Sequence, residues 1–156
     1  MLTPLPTTSP TFMDWPWEHI QPHFDELVSR ALTAENVETW LADWTHLSNL
    51  LSERGVRLIL AYHADTTNQD AEANFLAYIE TIAPNAEAAG QKLREKLLTF
   101  CAATRLTPPG MEVPLRGMRA DAELFHKENL PLQVEVNKLG TQYDKILGAQ
   151  TVEWEG

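Results

Sequence analysis

Cysteine is almost absent from this sequence. Cys101 is the only one, so no internal disulfide can form, and a reducing compartment is the simplest setting. Basic clusters are missing as well: 12 Lys and Arg stand against 22 Asp and Glu, for a formal net charge of −10. Phosphate backbones and anionic lipid surfaces are bound by grouped Lys and Arg. Neither nucleic acid nor a membrane surface is therefore expected as a partner. No uninterrupted apolar run approaches bilayer length. Met1 to Phe12 has no basic residue and no apolar stretch, so it does not read as a signal peptide. These absences lead to the expectation of a cytoplasmic protein. The seven glycines are scattered, and none builds a phosphate-binding loop.

What is present is helical periodicity. Hydrophobic residues make up 44% of the 156 positions, enough for a real core. Pro4, Pro6 and Pro10, set among threonines, predict a mobile tail over residues 1–16. A first helix is expected to open at Gln21-Pro22, with proline in the first turn, and to run to about Ala31. Thr33 reads as the N-cap of a second helix. In that helix Val37, Leu41, Trp44, Ser48, Leu51, Gly55, Leu58 and Tyr62 alternate steps of four and three, a coiled-coil seam. Trp40 and Leu47 widen it, and the small Ser48 and Gly55 predict close approach by a neighbour.

Asp65 to Asn68 should stop this helix, since Asp, Thr and Asn compete for backbone hydrogen bonds. A third helix from about Gln69 carries Phe75, Tyr78, Ile82, Leu93, Leu97 and Phe100 on one face. Pro84 inside it predicts a kink near Glu80. Two long helices joined by a short turn should pair antiparallel. Thr107-Pro108-Pro109-Gly110 ends this hairpin region, residues 17–107. A second helical pair is expected over 108–150. Leu115, Met118, Ala122 and Phe125 line its first helix; Leu132, Val136, Leu139, Tyr143, Ile146 and Leu147 line its second. Asn129-Leu130-Pro131 lies between them, and Gly148 is the expected C′ residue. Residues 151–155 alternate like a short strand. The expected fold is all-α: a long antiparallel hairpin, shorter helices and a strand-like tail.

Candidate chemistry is sparse. His19 and His23 have the spacing of H-E-x-x-H, but Ile20 stands where the glutamate belongs and Pro22 lies between them. Glu123 and His126 have the Glu-x-x-His spacing of a di-iron bundle, which needs a second such pair and two further carboxylates. The nearest echo, Asp43 and His46, brackets Trp44 of the seam. Cys101 sits in an apolar pattern and reads as an inert buried thiol. Trp40 and Trp44 at helical spacing read as core rather than as a ligand wall. No catalytic, cofactor-binding or metal-binding residue is assigned.

Several runs of residues resemble a known family. Asn36 to Trp44, with Leu47-Ser48 and Leu51-Ser52-Glu53, is similar to the N-terminal region of oligoendopeptidase F-like enzymes, zinc metallopeptidases of the thimet oligopeptidase family. Ala88 to Leu93, Pro114 to Ala120, Glu128 to Leu132 and Tyr143 to Gly156 extend the resemblance, which covers about Trp15 onward. The family's H-E-x-x-H helix and third glutamate ligand lie far downstream of such a region, and none of the five histidines here completes that motif. The resemblance implies a non-catalytic helical domain that forms one wall of a substrate channel and admits only short peptides. It implies zinc in the full-length parent and none in this chain. It also implies a catalytic domain following residue 150 as partner, with oligopeptides as the parent's substrates. The other reading is a stand-alone helical interaction module. Apolar residues left uncovered in the C-terminal third would favour self-association.

Overall fold

The computed structural model describes residues 3–151. All regular elements among them are helical. They are a 3-10 turn (Ser9–Thr11), α1 (Trp17–Ser29), α2 (Val37–Ala64), α3 (Gln69–Ala77), a π-helical turn (Tyr78–Ile82), α4 (Ala83–Thr104), α5 (Glu112–Leu124) and α6 (Asn129–Gly148). The chain is all-α, as its periodicity predicts. The strand-like alternation falls, apart from Thr151, outside the described residues. No described helix is long and apolar enough to cross a membrane.

Within the segment expected to be a mobile tail, most described residues are exposed, but several apolar side chains reach the core. Phe12 is fully buried, and Leu5 and Trp15 pack against the same cluster. The Pro6 carbonyl lies 3.0 Å from His46 Nε2, and Arg54 donates to the Trp15 carbonyl at 2.6 Å. Prolines set the extended backbone here, but the apolar anchors between them decide where it lies.

Helix α1 begins at Trp17, ahead of the expected Gln21-Pro22 start, so Pro22 stands inside it. Ile20, Phe24 and Leu27 are buried on one face. That burial continues the helix back through Pro22 despite the hydrogen bond the proline cannot donate. At the other end, Lys96 of α4 donates to the carbonyls of Leu27 (3.1 Å), Val28 (2.5 Å) and Arg30. A cation there satisfies orphaned carbonyls and complements the helix dipole. Burial, then the Arg30 guanidinium, draws the Lys96 pKa below its ordinary value.

Helix α2 starts one turn later than Thr33. The Asn36 side chain accepts from the Thr33 N–H at 2.9 Å within a turn, and Val37 opens the 28-residue helix. The stop after Ala64 forms as read. Asp65 accepts from the Thr67 N–H and hydroxyl (3.0 and 2.6 Å), and Asn68 caps α3 through the Ala71 N–H (3.0 Å). Beyond this turn α3 returns antiparallel: Phe75 stacks on Tyr62 with ring centroids 5.8 Å apart, and Tyr78 donates to the Leu51 carbonyl at 3.1 Å. Gly55 is small because Tyr78 covers it; a Cβ there would stand 3.0 Å from the Tyr78 hydroxyl.

The expected hairpin seam is rotated over its middle part. Val37, Leu51 and Tyr62 of that seam are buried, but Leu41 and Trp44 are only partly so and Ser48 is exposed, while Trp40, Leu47 and Leu50 beside it are buried. The cause is α1, which packs along α4 and also touches α2. A third helix thus joins the two arms and turns α2 toward its Trp40–Leu47 line. The disturbance expected at Glu80 is the π turn: the Ala83 N–H reaches the Tyr78 carbonyl, five residues back, beside Pro84, which has no N–H to give.

Pro114 and Pro131 both fall in the first turns of α5 and α6, so Asn129-Leu130-Pro131 starts a helix rather than interrupting one. Gly148 is the last residue of α6 and not its C′. Thr66 of the α2–α3 turn occupies the space where a Cβ would stand, so close packing, not a left-handed backbone, requires glycine there. Helix α6 turns its polar side inward. Tyr62 donates to the Thr141 carbonyl (2.8 Å), Lys138 pairs with Glu80 (2.8 Å) and Lys145 with Glu72 (2.7 Å). Its apolar side, the line from Leu132 to Leu147, faces solvent.

Candidate functional site

The residues singled out by spacing do not converge. His19 and His23 lie one turn apart on α1, but Trp15 stacks on the buried His23 at 5.7 Å and only meets the exposed His19 edge-on. Glu123 ends in α5, whereas Phe125 leaves the helix with extended backbone and carries His126 into the corner beyond. Their helical spacing is therefore not realised as a shared face. Asp43 accepts from Arg30 at 2.6 Å, and His46 turns to the Pro6 carbonyl. Among the described residues no three His, Cys, Asp or Glu side chains come together. Cys101 is buried, and burial pushes its thiol pKa up, away from the reactive thiolate. Trp40 is fully buried and Trp44 packs against it at 5.3 Å, so the pair belongs to the core and its edge.

A concave surface does form, where sequence reading placed none. A groove of about 430 Å³ runs between the π turn and first residues of α4 on one side and the α5–α6 corner on the other. Ile79, Ala83, Pro84, Leu130 and Val134 supply apolar lining. Asn129, Gln133 and Asn137, one turn apart along α6, add three carboxamides, and His126 adds an imidazole. Gln133 reaches Asn137 in a long 3.4 Å bond, and the Asn129 and His126 side chains are exposed. A carboxamide carries both donor and acceptor, the complement of a peptide unit. The floor comes from helix irregularity at Pro84, and the rim from an amide stripe at a spacing of four. The stripe was legible in the sequence; its pairing with the π turn was not.

A buried imidazole lies elsewhere, under the N-terminal segment. His23 has an Nε2 without a partner among the described residues. Burial lowers its pKa from 6.5, opposed by the Glu26 carboxylate. Below that pH the unfolded chain takes up a proton that the native chain resists, so the unfolded state binds more protons and stability drops as the pH is lowered. The loss continues until pH passes the lowered native value. Urea melts from pH 7.5 down to about 5 should show this fall, and His23→Leu should flatten it. An unchanged slope in that variant would place the titrating group elsewhere.

Comparison with protein-family models, with curated proteins and with solved structures finds no match to this chain.

Proposed function

We propose that this chain is a non-catalytic helical domain of zinc-oligopeptidase type. It acts in the cytoplasm as one wall of a channel, receiving short unfolded peptides while excluding folded proteins. The runs from Asn36 to Glu53 and from Tyr143 onward support the family reading. The groove carries the functional one: an apolar floor beside Asn129, Gln133 and Asn137 suits an extended peptide, whose side chains need apolar cover and whose backbone needs paired donors and acceptors. On this reading the chemistry belongs to a separate catalytic domain, with zinc held there and no role for zinc here.

The test uses the purified chain with added zinc and a set of unstructured oligopeptides. We expect no hydrolysis, and peptide-dependent amide shifts confined to residues around Ile79–Glu87 and Leu124–Asn137. Leu124 is 74% exposed at the groove mouth, so Leu124→Asp should abolish the shifts without altering the fold. Peptide cleavage by the chain, or shifts that ignore Leu124→Asp, would overturn the proposal. The second reading, a stand-alone interaction module, is favoured by a different observation, the outward apolar side of α6.

A further inference from the structure

Helix α6 is packed with its polar side toward its own chain. Leu132, Val136, Leu139, Tyr143, Ile146 and Leu147 are each between 45% and 64% exposed. The first five are spaced by four, three, four and three, the repeat of a two-helix seam. We propose that this seam pairs with the α6 seam of a second copy of the chain, antiparallel, about a two-fold axis near Leu139 and Gly140.

Symmetry supports this choice of partner. A two-fold interface must be self-complementary. Reversing the seam about its midpoint sets Leu132 against the partner's Leu147, Val136 against the partner's Tyr143, Leu139 against the partner's Gly140, and Ile146 against the aliphatic stem of the partner's Gln133. A Cβ on Gly140 would meet nothing within 4 Å in its own chain, which leaves room for the incoming leucine.

Charge supports it too. The chain carries −10, so most faces of two copies repel. Helix α6 itself is neutral. Its lysines, Lys138 and Lys145, balance Glu135 and Asp144, and both lysines are drawn inward to Glu80 and Glu72. The positions flanking the seam, Gln133, Gly140, Leu147, Glu135 and Gln142, include one charge. A basic partner would find no acidic rim here; a second copy finds no like-charge barrier.

Area sets the strength. A 20-residue helix is about 30 Å long and 10–12 Å wide, so the seam offers roughly 300–360 Å² of projected face. That is as large as patches monomers usually leave open. It is small beside the roughly 800 Å² per partner of a standard stable interface. The dimer is therefore reversible, and salt strengthens it by screening the acidic bodies.

Sedimentation velocity of the full chain from about 1 to 300 μM, at low and high salt, reads this directly. The expected result is a mass rising toward twice that of the chain, with the midpoint at lower concentration in high salt. Val136→Asp and Leu139→Lys, both at exposed positions, should hold the chain monomeric with unchanged circular dichroism and melting. For orientation, Leu132→Cys and Leu147→Cys chains should cross-link to each other when mixed, and Leu132→Cys should not cross-link to itself. A monomer at every concentration, a dimer that survives both charge substitutions, or self-linkage of Leu132→Cys would each overturn the proposal.

Discussion

Trp40→Ala should be among the most damaging single substitutions in this chain, costing about 3–5 kcal/mol, the range for emptying a large aromatic site in a core. Trp40 is fully buried, between α1 and the rest of the core cluster. Its indole N–H donates to the Leu27 carbonyl at 2.9 Å. That bond is the smaller part of the effect. A net hydrogen bond contributes about 0.5–1.5 kcal/mol, and the Leu27 carbonyl keeps Lys96 as a second donor after the indole is gone. Packing dominates. Trp44, one turn on, is only partly buried at the edge of the same cluster. Trp44→Ala should therefore cost clearly less, about 1–2 kcal/mol for the apolar area it covers. Urea melts of both variants decide the matter. Equal losses would mean that the seam runs through Trp44, as the four-three spacing alone implies. A domain of this size has about 5–15 kcal/mol to lose in total, so Trp40→Ala should sit close to the edge of folding at 37 °C.

That contrast marks what was legible in the sequence. The existence and order of the helices follow from periodicity and from local chemistry that acts within a few residues. Asp65, Thr67 and Asn68 end one helix and cap the next through bonds spanning two or three positions. Pro84 disturbs its own helix one turn upstream. Gly55 was readable as a contact point because a seam that omits a side chain must be filled from outside, and Tyr78 fills it. The rotation of α2 was not readable, because it depends on α1 packing along α4, a contact between segments some 70 residues apart, as Lys96 bonding to Leu27 illustrates. The outward turn of α6 was equally hidden. Its apolar line is plain in the sequence, but periodicity gives the face and not its direction. Tyr62, Glu72 and Glu80 hold the opposite, polar side against the chain instead. The groove failed for the same reason: its amide stripe is local, and its floor is not.

The N-terminal segment shows how far composition alone can mislead, and it carries the other large expected effect. Proline and threonine between Thr3 and Phe12 give no helical period, and a segment without period reads as tail. Three features hold it instead. Phe12 closes a 3-10 turn by donating its N–H to the Ser9 carbonyl at 2.8 Å, which sets the ring's direction. The ring then lies fully buried, 5.3 Å from that of Trp15. Trp15 in turn covers His23, and its carbonyl accepts from Arg54. Phe12→Ala should thus cost about 3–5 kcal/mol, the range for deleting a buried aromatic ring. A change in a mobile tail should stay within about 0.5 kcal/mol. The gap between those values is wide enough for a single urea melt to resolve. The effect should also spread. With the ring gone, Trp15 loses its support, His23 gains access to water, and its lowered pKa should move back toward 6.5. The acid-side loss of stability attributed to His23 should then shrink in Phe12→Ala. A variant that is destabilised but keeps its full pH slope would show that Phe12 packs independently of the Trp15–His23 stack. A variant that loses neither would return residues 3–16 to the role of a tail.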